Sequence, residues 1–299
     1  MKYHLVINPN AGRGYAGKIQ SRLIEDVKRA LGAVEVHPTS RPGDIRKIAA
    51  GLKMSKSVFM VAGGDGTIHE AVNGLAGGNC LLGIIPIGSG NDFIRMLNLP
   101  LKYTEAIDRI KNQRTMSIDI GRVGERVFVN GLGIGFDARA VVESQKVTSL
   151  RGNFIYLYAI LKTIFLYKND TVTVEKGDKK EKRKIFLISA GNGAFMGGGF
   201  RITPKAKIND GLLDFGIIRG LTKGEIFAHL PKVIKGTHLK LAQVEYFQAT
   251  SLTIESENGV PVQVDGELLS PAMKHIDIRI EKDALQVIHN LDEYDKAHS

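Results

Sequence analysis

A glycine-rich turn that contains an acidic residue is the segment of this sequence best suited to chemistry. A strand-like apolar run at 58–62 leads into the string GGDGT at 63–67, and apolar residues then recur at helical spacing. Glycines let backbone amides approach an anion closely, and the first N–H groups of a helix are unpaired and attract negative charge. Asp65 would repel phosphates unless Mg²⁺ or a hydroxyl lay between them. The segment therefore predicts a site for a nucleotide triphosphate with its metal, and a purely structural glycine turn is the alternative.

A second glycine turn, GSG at 88–90, follows the apolar run at 81–85. The Ser89 hydroxyl and the Asn91 amide are suited to hydrogen bonds with phosphate or ribose. Asn91 or Asp92 can instead cap the helix that follows, and capping is the preferred interpretation for Asp92. The turn therefore predicts a second contact on the phosphate side of the ligand.

The elements that must position these turns alternate through residue 122. Apolar strands and amphipathic helices follow one another, which is typical of an α/β domain with a parallel sheet covered on both faces. Ligands of such sheets bind beyond the carboxyl ends of the strands. Because the turns at 8–14, 63–67 and 88–91 all fall at those ends, they predict one composite site.

The pattern changes at residue 123, and short strand-like runs separated by Gly or Asn-Gly turns then dominate. These runs lie at 126–130, 171–175, 185–190, 212–218, 252–254, 262–264, 276–280 and 285–288. Helical segments interrupt them at 153–167 and 222–234. This pattern predicts an antiparallel β-sandwich or barrel. We therefore expect a fold of α/β plus all-β class: a nucleotide-binding domain at 1–122, with 290–299 as a candidate addition, and a substrate domain at 123–289.

The charge balance narrows the class of partner. The chain has 41 basic and 31 acidic residues, a formal net charge of +10. Such a surplus suits nucleic acid, anionic lipid or phosphorylated ligands, or it simply keeps the protein dissolved. We find no recognition helix, aromatic RNA-binding string or zinc-finger spacing, so we expect no nucleic-acid partner.

The compartment follows from three features of the sequence. No secretory signal peptide is recognisable before the first strand-like run. The longest apolar stretch, 154–167, contains Lys162 and is too short to cross a bilayer. Cys80 is the single cysteine, which excludes an internal disulfide, and its apolar surroundings predict a buried, inert thiol. We therefore expect a cytoplasmic protein.

Two carboxylates near the C-terminus are candidates for acid–base work. In Asp265-Gly266-Glu267, strand alternation would place both acids on one face. One could then accept a proton while the other holds metal-bound water, and the sequence does not say which. Asp-Gly is also the commonest signal for a short hairpin turn, and spacing alone slightly favours that alternative.

Two further acidic residues lie within apolar strand-like runs. A buried carboxylate at Asp119 would need a partner, either a water and metal network or a surface lysine. Asp214 alternates with apolar neighbours and is expected at a solvated strand position.

Together these motifs resemble those of bacterial lipid kinases of the diacylglycerol kinase catalytic-domain family, which is similar to sphingosine kinases and more distantly to NAD kinases. The matching strings, in the family's order, are Asn8-Pro9, Thr39, GGDGT at 63–67, GSGNDF at 88–93, KINDGL at 207–212 and VDGE at 264–267. GGDGT alone is shared with NAD kinases. The added strings make the match to lipid kinases much more specific, and it covers essentially the whole chain.

The resemblance implies an ATP- and Mg²⁺-dependent kinase that phosphorylates a lipid hydroxyl, with diacylglycerol the leading acceptor, on an NAD-kinase-like α/β domain and a β-sandwich. It implies a structural Mg²⁺ held by the Asp210 side chain and the backbone oxygens of Lys207 and Leu212. Glu267 would be the proton acceptor, with Asp65 and Asp265 as further catalytic candidates. Ser89 stands where Thr is usual, and His69 where Asn is common. The implied nucleotide contacts are Asn8, Pro9, Asn10, Thr39, Gly64, Asp65, Gly66, Thr67, Ile68, His69, Glu70 and Ser89.

Two other functions remain as alternatives. An NAD kinase would use the same GGDGT turn, but the GSGND string and the late DGE count against it. A non-catalytic lipid- or nucleotide-binding regulator would have no reason to keep the four carboxylates Asp65, Asp210, Asp265 and Glu267.

A lipid kinase must also reach its substrate, so we expect peripheral contact with an anionic membrane surface. One candidate is the aromatic and aliphatic segment at 153–161, for which core packing is the preferred alternative. The other candidate is the hairpin at 176–184, which has six basic residues and only two acidic ones, Asp178 and Glu181. A hairpin tip that is merely solvated is an equally favoured alternative. An exposed edge strand in the second domain would support a homodimer, although no motif encodes one.

Overall fold

The computed structural model describes residues 1–88, 90–146 and 153–289. The described chain divides into two compact units: Met1–Ile120 together with Lys282 to His289, and Gly121–Glu281. The first division lies two residues before the predicted boundary at 122. The structure differs from the prediction at the other end, because Lys282 to His289 belong to the first unit and not to the second. The predicted addition of 290–299 lies outside the described residues.

The first unit alternates strands and helices. They are β1 (Lys2–Ile7), α1 (Tyr15–Leu31), β2 (Val34–His37), α2 (Asp44–Leu52), β3 (Ser57–Gly63), α3 (Asp65–Leu75), β4 (Leu81–Pro86), α4 (Asp92–Met96) and α5 (Tyr103–Asn112), followed by β5 (Thr115–Val123). The last stretch of the final strand, β13 (Glu267–Ile288), returns to this unit.

The strands of this unit lie in the order β2-β1-β3-β4, with the end of β13 beside β4. All of these pairings are parallel. Every residue of β3 is buried, as expected for a continuous apolar strand in a sheet covered on both faces. On one face, Leu23 and Val27 of α1 pack with Leu5 and Met60 of the sheet.

The return of β13 explains the buried carboxylate of Asp119. Asp283 takes a left-handed backbone conformation, with φ +51°, and its N–H donates to Asp119 Oδ1 at 2.9 Å. Val287 then pairs with Leu82 of β4. The carboxylate thus helps to hold the returning strand, a role that neither alternative from the sequence included.

The second unit is mainly antiparallel. Its elements are β6 (Arg126–Phe128), β7 (Gly131–Gly135), α6 (Phe136–Gln145), α7 (Asn153–Leu166), β8 (Asp170–Lys176), β9 (Lys179–Gly191), β10 (Leu213–Arg219), α8 (Lys223–Lys235), β11 (Val244–Ala249), β12 (Ser251–Val264) and the first part of β13. The strand order is β11-β10-β9-β7-β12-β13, and β8 pairs with both β9 and β12. Alternate residues of these strands form one apolar core that includes Phe128, Phe215 and Ile254.

Several predicted elements are confirmed with altered bounds. The two helical segments are α7 and α8, and α8 begins with a capping box between Thr222 and Glu225. The predicted strands at 252–254 and 262–264 are one strand, β12, and those at 276–280 and 285–288 lie in β13. β7, α6 and β11 were not predicted. For β7 the reason is its glycine-rich sequence, which resembles a loop.

Cys80 is buried next to β3, where its thiol lies 3.3 Å from the carbonyl oxygen of Ser57, so the expectation of a buried thiol is confirmed. In the part of the chain that the structure describes, no helix has both the length and the apolar character needed to cross a bilayer.

Candidate active site

The three turns of the first unit meet at the carboxyl ends of β1, β3 and β4. A Cβ on Gly88 would lie 2.3 Å from the Cα of Gly64, and a Cβ on Gly12 would lie 2.5 Å from the carbonyl oxygen of Ile87. These glycines are required because the turns approach one another more closely than any side chain permits. The three turns therefore pack directly against one another at this edge of the sheet, where the strand topology predicts a composite site.

The start of α3 forms one side of this site. Its N-cap residue, Gly64, has no side chain to pair with the first N–H groups of the helix. Asn8 reaches across from the end of β1 and donates from Nδ2 to the Thr67 hydroxyl at 3.0 Å. The Asp65 carboxylate lies against Gly90, where a Cβ would come within 2.3 Å of Oδ2. Backbone donors, a hydroxyl and a carboxylate are thus gathered at one helix N-terminus, which suits a phosphate with a metal ion.

The remaining predicted nucleotide contacts lie in different environments. Thr39 donates from its hydroxyl to the Ile7 carbonyl at 2.6 Å, which ties the segment after β2 to the end of β1. Glu70 accepts the Gly43 N–H at 3.0 Å and so joins α3 to the start of α2. The side chains of Ile68 and His69 are buried, so only their backbone atoms are placed to face a ligand at the helix start.

The other predicted contacts belong to the first and third turns. The Asn8 side chain accepts the Asn10 N–H at 3.0 Å, and the Pro9 carbonyl accepts the Gly17 N–H at 3.0 Å. Both bonds stabilise the turn after β1. Ser89 lies outside the described residues.

The capping role expected for Asp92 is wrong. Asn91 is the N-cap residue of α4, with φ +58°, and its side chain donates to the Gly88 carbonyl at 3.2 Å without capping the helix. Asp92 follows as the first residue of α4, where it is buried and accepts from Arg95 at 3.1 Å. Asp92 cannot be the N-cap residue because the helix already begins at it, and the left-handed backbone at Asn91 directs the Asn91 side chain back to the glycine turn.

In the second unit, Asp265 and Gly266 form the two-residue hairpin turn between β12 and β13. Both have left-handed backbones, with φ +46° and +86°, and Val264 pairs with Glu267 across the turn. The hairpin alternative is therefore the observed structure. The expectation that Asp265 and Glu267 share a strand face is wrong, because alternation requires an extended backbone and Asp265 lies outside both strands.

The Asp265 carboxylate is held by backbone donors. It accepts the N–H groups of Val129, Asn130 and Gly131 at 3.0, 2.9 and 3.0 Å. These bonds occupy most of its acceptor positions and fix the hairpin against the segment before β7. The geometry therefore assigns Asp265 to holding the turn, and Glu267 is the first residue of β13 after that turn.

Two residues that support this hairpin were missed by sequence analysis. Gln263 accepts the Gly266 N–H on Oε1 at 2.8 Å and donates from Nε2 to Asp137 Oδ2 at 2.9 Å. Burial raises the pKa of Asp137 to about 6, partly offset by its hydrogen bonds to Gln263 and to the Ala138 N–H. Gly133 leaves room for this carboxylate, since a Cβ there would lie 1.5 Å from Oδ2. In the sequence, the only sign of this close approach is Gly133 itself, since a glycine inside a strand often marks a site where another group comes near the backbone.

The predicted metal ligand Asp210 lies beside a second acid. Asp210 Oδ1 accepts the Leu212 N–H at 3.0 Å, and Gln248 donates to Oδ2 of Asp210 at 3.3 Å and of Asp214 at 3.2 Å. The expectation of a solvated Asp214 is wrong: it is fully buried, because Tyr246 and Gln248 of β11 supply hydrogen bonds to its carboxylate. Burial, and then the Asp210 charge, raise the pKa of Asp214.

The donor chemistry here fits Mg²⁺. Asp214 Oδ1 is buried and, among the residues that the structure describes, has no hydrogen-bond partner. Carboxylate oxygens and backbone carbonyl oxygens, such as those expected from Lys207 and Leu212, are the hard ligands that Mg²⁺ prefers.

The basic hairpin at 176–184 carries less free charge than its sequence suggests. Lys180 pairs with Glu175, Lys182 pairs with Glu257, and Arg183 pairs with both Glu181 and Glu245. Lys176 lies over the Phe247 ring. These partners weaken the attraction of the hairpin for an anionic surface.

Helix α7 is divided between a packed and an exposed side. Within the segment 153–161, Ala159 is buried as core packing predicts, whereas Tyr158 and Leu161 are 46% and 37% exposed, so that expectation holds only in part. Further along the helix Thr163 and Ile164 are buried, and Phe165 and Leu166 are exposed. The side chains at 153–157 and 160 lie outside the described part of the chain. The Phe165 ring contacts that of Phe227 on α8, which is itself exposed.

Comparison with known proteins shows what each part of the chain is similar to. Residues 2–123 match the model of the diacylglycerol kinase catalytic domain, and residues 130–289 match that of the YegS C-terminal NAD kinase beta sandwich-like domain. A diacylglycerol kinase of Mycobacterium tuberculosis is 30% identical over 278 residues, covering 90% of each chain.

Solved structures give the same result. The crystal structure of a diacylglycerol kinase from Bacillus anthracis superposes with a TM-score of 0.78 at 25% identity and covers 98% of both chains. An NAD kinase from Archaeoglobus fulgidus in complex with ATP superposes with a TM-score of 0.53 at 10% identity, covering 99% of this chain and 96% of its own, which shows a shared fold. The two domain matches and the full-length relative place the chain in the diacylglycerol kinase family of lipid kinases.

Proposed function

We propose that this protein is an ATP- and Mg²⁺-dependent lipid kinase that transfers the γ-phosphate of ATP to diacylglycerol and forms phosphatidic acid. The meeting of three glycine-containing turns at the start of α3 carries the proposal. Close approach of Gly64 to Gly88 leaves backbone donors and Asp65 at one helix N-terminus, which is the chemistry of a triphosphate site. Relatives named diacylglycerol kinase support the choice of acceptor.

Phosphoryl transfer requires little covalent help from the protein, so positioning and charge neutralisation are the main tasks. The new bond joins the lipid hydroxyl oxygen to the γ-phosphorus, the bond from that phosphorus to the ADP oxygen breaks, and the hydroxyl proton must leave. Glu267 is the proposed acceptor of that proton. Its position directly after the hairpin turn, which Asp265 and Gln263 hold, keeps its backbone in place.

Magnesium is proposed at two places. Asp210, with the backbone oxygens of Lys207 and Leu212 and the neighbouring Asp214, would hold a structural ion in the second unit. Asp65 would contact the phosphates of ATP through a second ion. When bound, Mg²⁺ neutralises phosphate charge and restrains the geometry of the groups it bridges.

Access to a lipid is proposed to involve the exposed apolar side chains of α7 and α8. Phe165, Leu166, Phe227 and Ile234 present aromatic and aliphatic groups to solvent, and such groups favour the interface of a bilayer. Peripheral contact with an anionic membrane, in a cytoplasmic protein, is part of this proposal. Among the residues that the structure describes, we find no comparable support for the homodimer.

The test is transfer of label from γ-labelled ATP, with Mg²⁺, into mixed micelles of diacylglycerol or of total lipid extract. Wild type is compared with Asp65→Ala and Glu267→Ala, and with Glu257→Ala as a matched control in an exposed ion pair. We expect phosphatidic acid from wild type and the control, and losses of at least about 100-fold in the other two. Removal of Mg²⁺ by EDTA should abolish the reaction.

Other products would contradict the proposal in distinct ways. Label in phosphorylated NAD, with none in lipid, would identify an NAD kinase. A different labelled lipid would keep the lipid kinase and replace the acceptor. Tight lipid binding with no ATP turnover on any acceptor would indicate a non-catalytic regulator.

A further inference from the structure

A histidine, a glutamate and a second histidine gather on one face of the sheet in the first unit. In the parallel pairing of β1 with β2, His4 lies opposite Glu35, and His37 lies two residues further along β2. Since alternate residues of a strand share a face, all three lie on the side opposite to Leu5 and Val36, which pack beneath α1. Neither the nucleotide site nor the proposed Mg²⁺ sites use these side chains.

The donor atoms of the three side chains have the spacing of a metal site. His4 Nδ1 lies 3.0 Å from His37 Nε2 and 3.4 Å from Glu35 Oε2, and His37 Nε2 lies 3.7 Å from Glu35 Oε1. Ligands of a tetrahedral Zn²⁺, at bond lengths of about 2.0–2.1 Å, are separated by about 3.3 Å. One ion therefore fits among all three groups with small shifts of the side chains.

We propose that His4, Glu35 and His37 form a binding site for a divalent transition metal, with Zn²⁺ as the ion of choice. Two imidazoles and one carboxylate suit Zn²⁺, whereas Mg²⁺ and Ca²⁺ prefer oxygen ligands alone. Three protein ligands leave one tetrahedral position for water. The side chains of His4, His37 and Glu35 are 6%, 20% and 65% exposed, so the ion enters from the Glu35 side.

The charges around the site are compatible with a bound cation. The Lys2 charge opposes a cation, and the Glu35 carboxylate offsets it. Without a metal, the two imidazoles simply share a hydrogen bond, which is the competing explanation of their closeness.

A metal here would stabilise the edge of the sheet. β2 has four residues and is the terminal strand of its sheet, paired with β1. His37 is followed after Pro38 by Thr39, whose hydroxyl is bonded to the Ile7 carbonyl. Binding would therefore restrain residues 34–39, and this inference holds whether or not the protein phosphorylates a lipid.

The experiment is titration of the full chain, stripped of metal and free of any histidine tag, with Zn²⁺, followed by calorimetry and by metal analysis after dialysis. Wild type is compared with His37→Gln and Glu35→Ala, two changes at partly exposed positions that spare the buried His4. His275→Gln is the matched control, an exposed histidine whose Nδ1 lies 4.0 Å from Glu255. Visible absorption of the Co²⁺ form reports tetrahedral coordination.

We expect one Zn²⁺ per chain in wild type and in His275→Gln, with a dissociation constant at least about tenfold larger in the other two variants. Zn²⁺ should also slow amide exchange of residues 34–39 in wild type and not in His37→Gln. Absence of stoichiometric binding in wild type, or equal affinity in all four proteins, would overturn the proposal. The first result would leave a hydrogen-bonded histidine pair, and the second would place the metal elsewhere.

Discussion

The side-chain amide of Gln263 links the carboxylate of Asp137, at 2.9 Å, to the hairpin turn that precedes Glu267. An amide has a donor on one side and an acceptor on the other, so these two bonds determine its orientation. Asp137 belongs to the first turn of α6, and the turn therefore depends on a helix far away in sequence. The relationship suggests that Gln263 positions the segment of the proposed proton acceptor without contacting substrate.

Replacing Gln263 by leucine should lower kcat with little change in KM for ATP. Leucine has a similar size but removes both bonds, so the Gly266 N–H loses its acceptor and the turn its restraint. A small displacement of a reacting group costs up to about 100-fold in rate, and we expect a fall of about 10- to 100-fold. Steady-state kinetics measure the effects on kcat and on KM for ATP separately. Gln243→Leu, which removes a long hydrogen bond to Glu225, is the control and should be unaffected.

The raised pKa of Asp137 predicts a pH dependence of stability. Because its pKa is about 6 in the folded protein and 3.8 for an unperturbed aspartate, the folded state binds more protons than the unfolded state between these pH values. The contribution of Asp137 to the free energy of unfolding is therefore largest below about pH 4. It falls as the pH rises towards 6 and stays constant above about pH 6. Ionisation should cost up to about 3 kcal/mol.

The measurement is urea unfolding of wild type and Asp137→Asn at several pH values between 4 and 8. The free energy of unfolding of the variant should rise relative to wild type from pH 4 to about pH 6.5 and then stay level. Only the change with pH is compared, since the amide also alters hydrogen bonds. Parallel curves for the two proteins would show that Asp137 titrates normally.

Asp265 and Glu267 should respond differently to loss of charge. Asp265→Asn replaces an acceptor by a donor that faces backbone N–H groups, so we expect a loss of about 1–3 kcal/mol in the free energy of unfolding. Glu267→Gln should change stability by less than about 0.5 kcal/mol and reduce kcat by about 10²- to 10⁴-fold. Unfolding and kinetics on both variants separate the roles. An active, stable Glu267→Gln enzyme would remove Glu267 from the mechanism.

Gly88→Ala should disrupt the contact between the turn at 63–67 and the turn at 88–91. Its Cβ would overlap the backbone of Gly64, and overpacking of this kind costs about 1–3 kcal/mol. ATP affinity should fall with it. Gly51→Ala in α2 is the matched control, because no atom outside its own stretch of helix lies within 4 Å of the new methyl group, and it should stabilise by about 0.5–1 kcal/mol. Equal behaviour of the two variants in thermal unfolding and nucleotide titration would contradict the argument.

Local patterns predicted much of the architecture. Continuous apolar runs followed by glycine turns indicated β1, β3 and β4 with their ligand-side loops, and the helical segment predicted at 222–234 agrees with α8. Patterns of this kind are readable because they reflect periodicity and backbone sterics within a few residues. The bounds of β12 and β13 were less accessible, since bulges interrupt the alternation of these long strands.

The sequence by itself determined the division into an alternating and a β-rich part, the glycine turns at the strand ends and the family to which they belong. The tertiary structure decided what each carboxylate does: Asp265 holds a hairpin through the N–H groups of residues 129–131, Asp214 is buried beside Asp210, and Asp119 restrains a returning strand. It also brought His4 beside His37. The sequence shows that a residue is an aspartate or a histidine, but not its environment. The role of the side chain depends on burial and on partners that distant strands supply.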